Sequence, residues 1–154
     1  MRAFYQAIEY IKSTLESAPL LNTITHGTDI IDNVKKNIFP LAHINILSSS
    51  ISSGVVNFTF EVAVVDIRNM SKINIKDKFL GNDNELDNLN TCHAILNYMI
   101  TQMRLQRSDN DIELQNDPTL QPILLAFTNA LDGWKCDIEI SVPNNDFTIC
   151  EIGD

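Results

Sequence analysis

The chain has 154 residues, 44% hydrophobic and 20% charged, which suits one domain whose core needs neither metals nor disulfides. Its formal net charge of −9 disfavours a sequence-independent grip on nucleic acid, because phosphate binding relies on clustered Lys and Arg. Cys92, Cys136 and Cys150 are widely spaced and odd in number, which argues against a disulfide framework and a CxxC metal site. A reducing compartment fits best. Met1–Gln6 lacks the apolar core of a secretory signal and no apolar run reaches membrane-spanning length, so the expectation is a cytosolic protein without a membrane.

From residue 2 to about 17, Phe4, Ile8, Ile11 and Leu15 recur at spacings of four, three and four, which predicts an amphipathic helix. Pro19 ends it. The segment 19–37 reads as a long excursion that contains a short strand at Asn22–His26 and then Gly27. Ile38–Leu47 reads as the first main strand, entered through Pro40, which donates no ladder hydrogen bond. Ser48–Gly54 supplies a loose link into a second strand that ends near Ile67. In that strand Val56–Val64 alternates apolar and polar residues, with small Ala63 the single exception. Arg68–Lys78 is polar, and its lysines Lys72, Lys76 and Lys78 fit a solvated loop.

Asn82-Asp83-Asn84-Glu85 carries the cap residue and the glutamate three positions on that open a helix, predicted over roughly 83 to 107. Its expected buried stripe is Leu86, Leu89, His93, Leu96, Ile100 and Met103, with Arg104 and Arg107 near the C-terminal end. Ile112–Gln115 reads as a short strand stopped by Asn116-Asp117-Pro118. Thr119–Leu131 fits either a buried strand or a short helix. Strand is preferred, because Asp132-Gly133 then forms the turn of a terminal hairpin. Trp134–Val142 alternates without an error, which predicts a strand that covers a core with one face. Pro143–Asp146 closes it.

The fold class expected is α+β: an antiparallel sheet of about four to five strands against an N-terminal helix and one long central helix. Residues 1–146 form the single domain, and 147–154 a C-terminal tail with apolar Phe147, Ile149 and Ile152.

Chemical motifs are sparse. The histidines are His26, His43 and His93; Cys92 and His93 point about 100° apart on one helix, so they form no dyad. His43 and His93 read as core histidines. No HExxH, EF-hand loop, GxGxxG or Walker sequence occurs, so no catalytic, metal or cofactor-binding residues are predicted. Asp29 with Asp32, and Asp137 with Glu139, read as solvent-facing charges.

Several segments resemble tailed-phage tail-terminator and neck ring proteins. They are Ile38-Phe39-Pro40-Leu41-Ala42-His43, Gly81-Asn82-Asp83-Asn84-Glu85, Gly133-Trp134, Val142-Pro143-Asn144 and Thr148-Ile149-Cys150. The resemblance runs from the first helix to Cys150. It departs at Asp132, where relatives carry a small residue, at the separated Arg104 and Arg107, and in the extension Glu151–Asp154.

The resemblance implies a structural virion protein, assembled in the host cytoplasm. It implies a closed ring of six or twelve copies that meets neighbouring neck, portal or tail proteins, and through which DNA passes without specific binding. Acidic lumen side chains would then repel phosphate. Contacts are expected from 20–37, 68–82 and 147–154, with Phe39, Trp134, Phe147 and Ile149 as contact residues; Phe39 and Trp134 also fit a role in their own core. The rival readings are a small cytosolic adaptor or ligand carrier with a pocket between sheet and helix, and a cysteine-dependent enzyme using Cys92 or Cys150.

Overall fold

The computed structural model describes residues 3–27, 39–69, 78–79, 81, 83–105, 111–126 and 130–144. Two strands make its spine. Val55–Ile67 (β3) and Leu131–Pro143 (β6) pair antiparallel along their whole length, from Val55 opposite Pro143 to Ile67 opposite Leu131. Both alternate apolar with polar or small residues over most of their length, with β-branched and aromatic residues prominent on the apolar face, the pattern that fits a pleated, half-buried surface. Val56, Phe58, Phe60, Val62 and Val64 therefore share one face with Cys136, Ile138, Ile140 and Val142, and all are buried.

Leu41–Ser52 (β2) pairs antiparallel with β3 through a tight turn at Ser53–Gly54. Gly54 has φ +79°, a conformation that side chains disfavour. The serine run expected to be a loose link is strand as far as Ser52. Serine has little preference of its own, and the opposing residues Val55–Thr59 dictate the pairing. The register slips by one residue between Ile46 and Ser48, a β-bulge.

The fold is α+β with an N-terminal and a longer second helix, as expected, and the antiparallel sheet of about four to five strands is a mixed sheet of six. Thr23–His26 (β1) lies beside β2 in parallel, Thr23 opposite Leu41 and His26 opposite Ile44. Residue alternation carries no direction, and the fourteen residues 27–40 suffice for the crossover that a parallel neighbour requires. On the far side Gln121–Ala126 (β5) and Glu113–Leu114 (β4) share the outer edge of β6. Of the segment 119–131, where strand is preferred, Gln121–Ala126 is strand and forms a hairpin with β6. Its turn is not Asp132-Gly133, which lies inside β6, but ends at Ala130, at φ 52°.

Two helices, Ala3–Glu16 (α1) and Glu85–Leu105 (α2), cover one face of the sheet. Each is rotated from its expected stripe. In α1 the buried line is Ala3, Ala7, Ile11 and Leu15. The two alanines let the helix approach closely, while the Phe4 ring moves outward, 41% exposed, edge-on to Phe58 at 5.6 Å.

In α2 the buried line is Asn88, Cys92, Ile95, Leu96, Met99 and Met103; Leu86 and His93 are exposed. Its rotation follows from polar anchors. The Asn88 and Asn84 side-chain amides donate to the Ile67 carbonyl at the end of β3, and the Trp134 indole N–H donates to the Leu89 carbonyl at 2.9 Å. The helix begins two residues later than its cap motif suggested, after Asp83 at φ 51°; Asn82 and Arg107 lie outside the described residues. Tyr10 donates to the Met103 carbonyl and ties the helices together.

A smaller cluster, Phe39, Leu41, Val65 and Leu131, packs on the opposite face. Elsewhere that face has no helix among the described residues.

Gly133 sits where an added Cβ would lie 1.9 Å from the Val64 carbonyl oxygen. Backbone cannot step aside as a flexible side chain can. Gly133→Ala is therefore expected to destabilise the protein by about 3 kcal/mol, the upper end of overpacking costs, read as a lowered urea midpoint.

Candidate functional site

The densest polar cluster lies where the start of α2 meets the ends of β3 and β6. Arg68, just past β3, grips Asp132 with both Nε and Nη2 at 2.7 Å and also donates to Glu85 of α2 at 2.7 Å. Asp132 is fully buried, which such a paired, bidentate geometry permits. Asp132 raises the proton affinity of the guanidinium further, chiefly through these hydrogen bonds, so the cation is permanent. Asp66 lies directly across the strand pair from Asp132 and accepts the Ile67 N–H. Burial nevertheless pushes its carboxyl above the ordinary range, with that hydrogen bond pulling the other way.

Nucleophilic chemistry finds no foothold among the described residues. Cys92 borders this cluster and donates its thiol to the Asp132 carbonyl. Burial, then the charges of Asp66 and Asp132, push it up to about 12; burial, then Asp137 and Glu61, do the same for Cys136. A thiol so protonated is a poor nucleophile. His93 is exposed, edge-on to Trp134 at 5.4 Å. His43 is buried on the other face of the sheet: Nε2 reaches the Gly27 carbonyl at 2.5 Å, and Nδ1 meets the Thr25 hydroxyl at 2.7 Å. A carbonyl only accepts, so Nε2 carries a proton and donates to Gly27. Of the two expected core histidines, His43 is one and His93 is not. No group of three metal-ligating side chains gathers among the described residues.

The remaining candidates are surfaces. β1 protects the outer edge of β2 only as far as Ile44, whose carbonyl accepts the Gly27 N–H. From Asn45 to Ser52 that edge has no strand beside it among the described residues, and Ile46 to Ser52 are all exposed. The direction of its free groups can be read from β3. The Asn144 N–H donates to the Gly54 carbonyl, so alternation turns Val55 and Asn57 toward β2 and their partners Ser52 and Ser50 inward. Ser49 and Ile51 then point their N–H and C=O groups outward.

No charged residue interrupts Asn45–Ser52, whereas native proteins usually guard open edges with charge or proline. Apolar side chains stand along it. Ile46 is 49% exposed and Ile51 77%, on the face that carries Phe4; Leu47, in the bulge, is 50% exposed. Below them runs a half-open groove of about 360 Å³ between α1 and β1, floored by Ile8, Leu15, Ile24 and Ile44. A second hollow of about 350 Å³ continues it toward Ile46 and Leu47.

The helix-free face is acidic. Glu61 stands directly opposite Asp137, and Glu139 is its diagonal neighbour; Lys135 lies one step further along the same face. Like charges directly across a strand pair repel. The arrangement persists because these groups reach water and Asn116 clamps the β6 backbone beneath them. Its amide donates to the Asp137 carbonyl and its oxygen accepts the Glu139 N–H, each at 2.9 Å.

Of the predicted contact residues, Phe39 is buried in the small cluster and Trp134 is half-buried against α2. Phe147 and Ile149 lie outside the described residues, as do Asp29, Asp32, Lys72 and Lys76. The structure brings forward two features that the sequence reading missed. The Arg68–Asp132 pair spans 64 positions and had no local signal. The exposed Ile46, Leu47 and Ile51 did have one, since apolar residues beside a serine run have no core to join. Among the described residues no helix is long and apolar enough to cross a membrane. No model of a known protein family matches the chain, and no curated protein matches it either.

Asp132→Ala leaves a buried guanidinium with half its partners gone. It is expected to cost about 3–5 kcal/mol by chemical denaturation, and Arg68→Met with Asp132→Leu to recover much of that.

Native protein at pH 8 should resist iodoacetamide at Cys92 and Cys136, with labelling only in denaturant. Both thiols are raised in the folded state, so the unfolded chain loses their protons first. Stability should be intact below pH 9 and fall as pH rises toward 12, measured as unfolding midpoints in alkaline buffers.

Proposed function

We propose that the chain is a structural subunit that works as a closed ring of identical copies, in the manner of a tail-terminator or neck connector of a tailed phage virion. The observation that carries this reading is the open edge of β2. Along Asn45–Ser52 the outward backbone groups of Ser49 and Ile51 have no strand beside them among the described residues, and three exposed aliphatic side chains stand there with no charge among them. A solitary soluble protein gains nothing from such an edge and risks aggregation; a subunit with a partner for it gains a hydrogen-bonded contact. The other side of the sheet is a different surface, where β5, β4 and the Asn116 side chain border β6. Contact between unlike patches is heterologous and closes into a ring when the rotation permits.

Charge agrees with a channel for a polyanion. Glu61, Asp137 and Glu139 stand on the helix-free face, and the net charge is −9. A wall of that sign repels phosphate and lets DNA slide without adhering. The sequence resemblance points the same way and supplies the expectation of six or twelve copies, with portal, neck or tail proteins above and below. The role asked of the protein is assembly and passage, and the two buried thiols and the engaged His43 fit a molecule that does no covalent chemistry.

The groove beside α1 favours a second reading, a small ligand carrier, since about 360 Å³ lies within the range of small-molecule sites. It is open along one side, whereas carriers bury most of their ligand, so the ring reading is preferred.

Native mass spectrometry and negative-stain microscopy of the purified chain decide between them. Rings with one dominant copy number are expected; a monomer at every concentration overturns the proposal. A Glu61→Lys, Asp137→Lys, Glu139→Lys variant should still form rings but retard duplex DNA in low-salt gels, where the parent protein does not.

A further inference from the structure

We propose that the outer edge of β2 between Ser48 and Ser52 receives Phe147–Cys150 of a second copy of this chain as an added strand. The inference deepens the ring reading and rests on it, naming the two patches through which successive copies join.

The acceptor has the chemistry of a strand-addition site. Ser49 and Ile51 turn their backbone N–H and C=O groups outward, which supplies the hydrogen bonds of one short strand. On the face shared with α1, Ile51 and Ile46 are exposed, and Ser49 lies directly opposite Phe58, against whose ring Phe4 packs. Ser49 is thus a small residue between apolar ones, a gap at the edge that a large side chain from a neighbouring strand can fill. Below Ser48 the bulge breaks the ladder, so the receptive stretch is about as long as the four-residue donor.

The donor is argued from its sequence and from the place where the described chain leaves the sheet. Ten residues, 145–154, follow Asn144, which is held at the hairpin turn by its 2.9 Å hydrogen bond to the Gly54 carbonyl. Phe147-Thr148-Ile149-Cys150 alternates large apolar residues with small ones, and the aromatic and β-branched residues among them favour strands. In an added strand Phe147 and Ile149 would lie on the α1 side against Ile51 and Phe4. Thr148 and Cys150 would lie on the other side with Ser48, Ser50 and Ser52. Neither segment carries a charge, so the net charge of −9 opposes their meeting less here than elsewhere on the surface.

Reach selects a second copy over the same molecule. From the end of β6, a strand on the outer edge of β2 is three strand spacings away, about 14 Å. Three Cα steps lead from Asn144 to Phe147, at most about 11 Å. Folding back would spend Phe147 on the crossing and leave only Ile149 for the edge. A neighbour whose β6 end abuts the hairpin places both. Donor and acceptor are different patches, which is the heterologous contact that a ring requires.

The test uses the whole chain, a truncation after Asn144, and the variants Ile51→Pro and Ser50→Cys. Proline at 51 removes an outward N–H and spares the ladder to β3. The full chain is expected to run as a ring, while the truncation and Ile51→Pro run at single-chain mass with unchanged far-UV circular dichroism. In Ser50→Cys, copper phenanthroline should join the new thiol to Cys150 of the adjacent copy and give a ladder of covalent multimers on a non-reducing gel. Adding Cys150→Ser should abolish it; Cys92 and Cys136 are buried and do not compete. Rings that survive the truncation overturn this inference and leave the ring reading intact, as does a Ser50→Cys disulfide closed within one chain. A full chain that never forms rings overturns both.

Discussion

The antiparallel ladder between β3 and β6 is the constraint on which the rest of the molecule depends. Thirteen consecutive residue pairs fix one register, and a slip of one would turn Phe60, Val62, Ile138 and Ile140 from the helices to water. Every other element takes its place from this pair: β2 and β1 extend it on one side, β4 and β5 on the other, and both helices lie on its apolar face. Gly133 marks how closely the two backbones approach at one end. Asn144 closes the other end on Gly54.

Such a ladder was legible in the sequence because alternation over nine residues has no competing explanation. Val56–Val64 and Trp134–Val142 announced a two-sided surface, and the first and long helices announced themselves by spacing and by a cap motif. What alternation and spacing do not carry is orientation. The parallel placement of β1, the rotation of α1 toward Ala3 and Ala7, and the rotation of α2 toward Asn88 all depend on partners distant in the chain. Asp132-Gly133 shows the limit well. Locally the dipeptide spells a turn, yet Arg68 draws the carboxylate inward and the Val64 carbonyl demands the glycine, so both belong to a strand. The candidate surfaces were less legible than the fold. Phe39 and Trp134 are large and easy to single out, while the exposed edge consists of serines and aliphatic residues whose one local signal, apolar side chains beside a serine run, gains meaning from the sheet order.

Electrostatics divides the molecule into two regimes. Near α2, charges are few, buried and paired: Arg68 answers Asp132 and Glu85, and the helix is pinned to the sheet at the price of a desolvated ion pair. That geometry gives a unique docking angle more than it gives net stability. On the helix-free face Glu61, Asp137 and Glu139 crowd together with Lys135 just beyond them, and water screens Glu61 from Asp137. The first arrangement serves the single molecule.

The bulge between Ile46 and Ser48 bears on shape. A bulge bends a ribbon and sharpens its right-handed twist, and this one falls between the part of β2 that β1 borders and the part beyond it. A molecule docked on that further part would inherit the bend, and so would the one docked after it. Curvature written once, by one surplus residue, would be copied at every joint, turning a row of molecules into an arc.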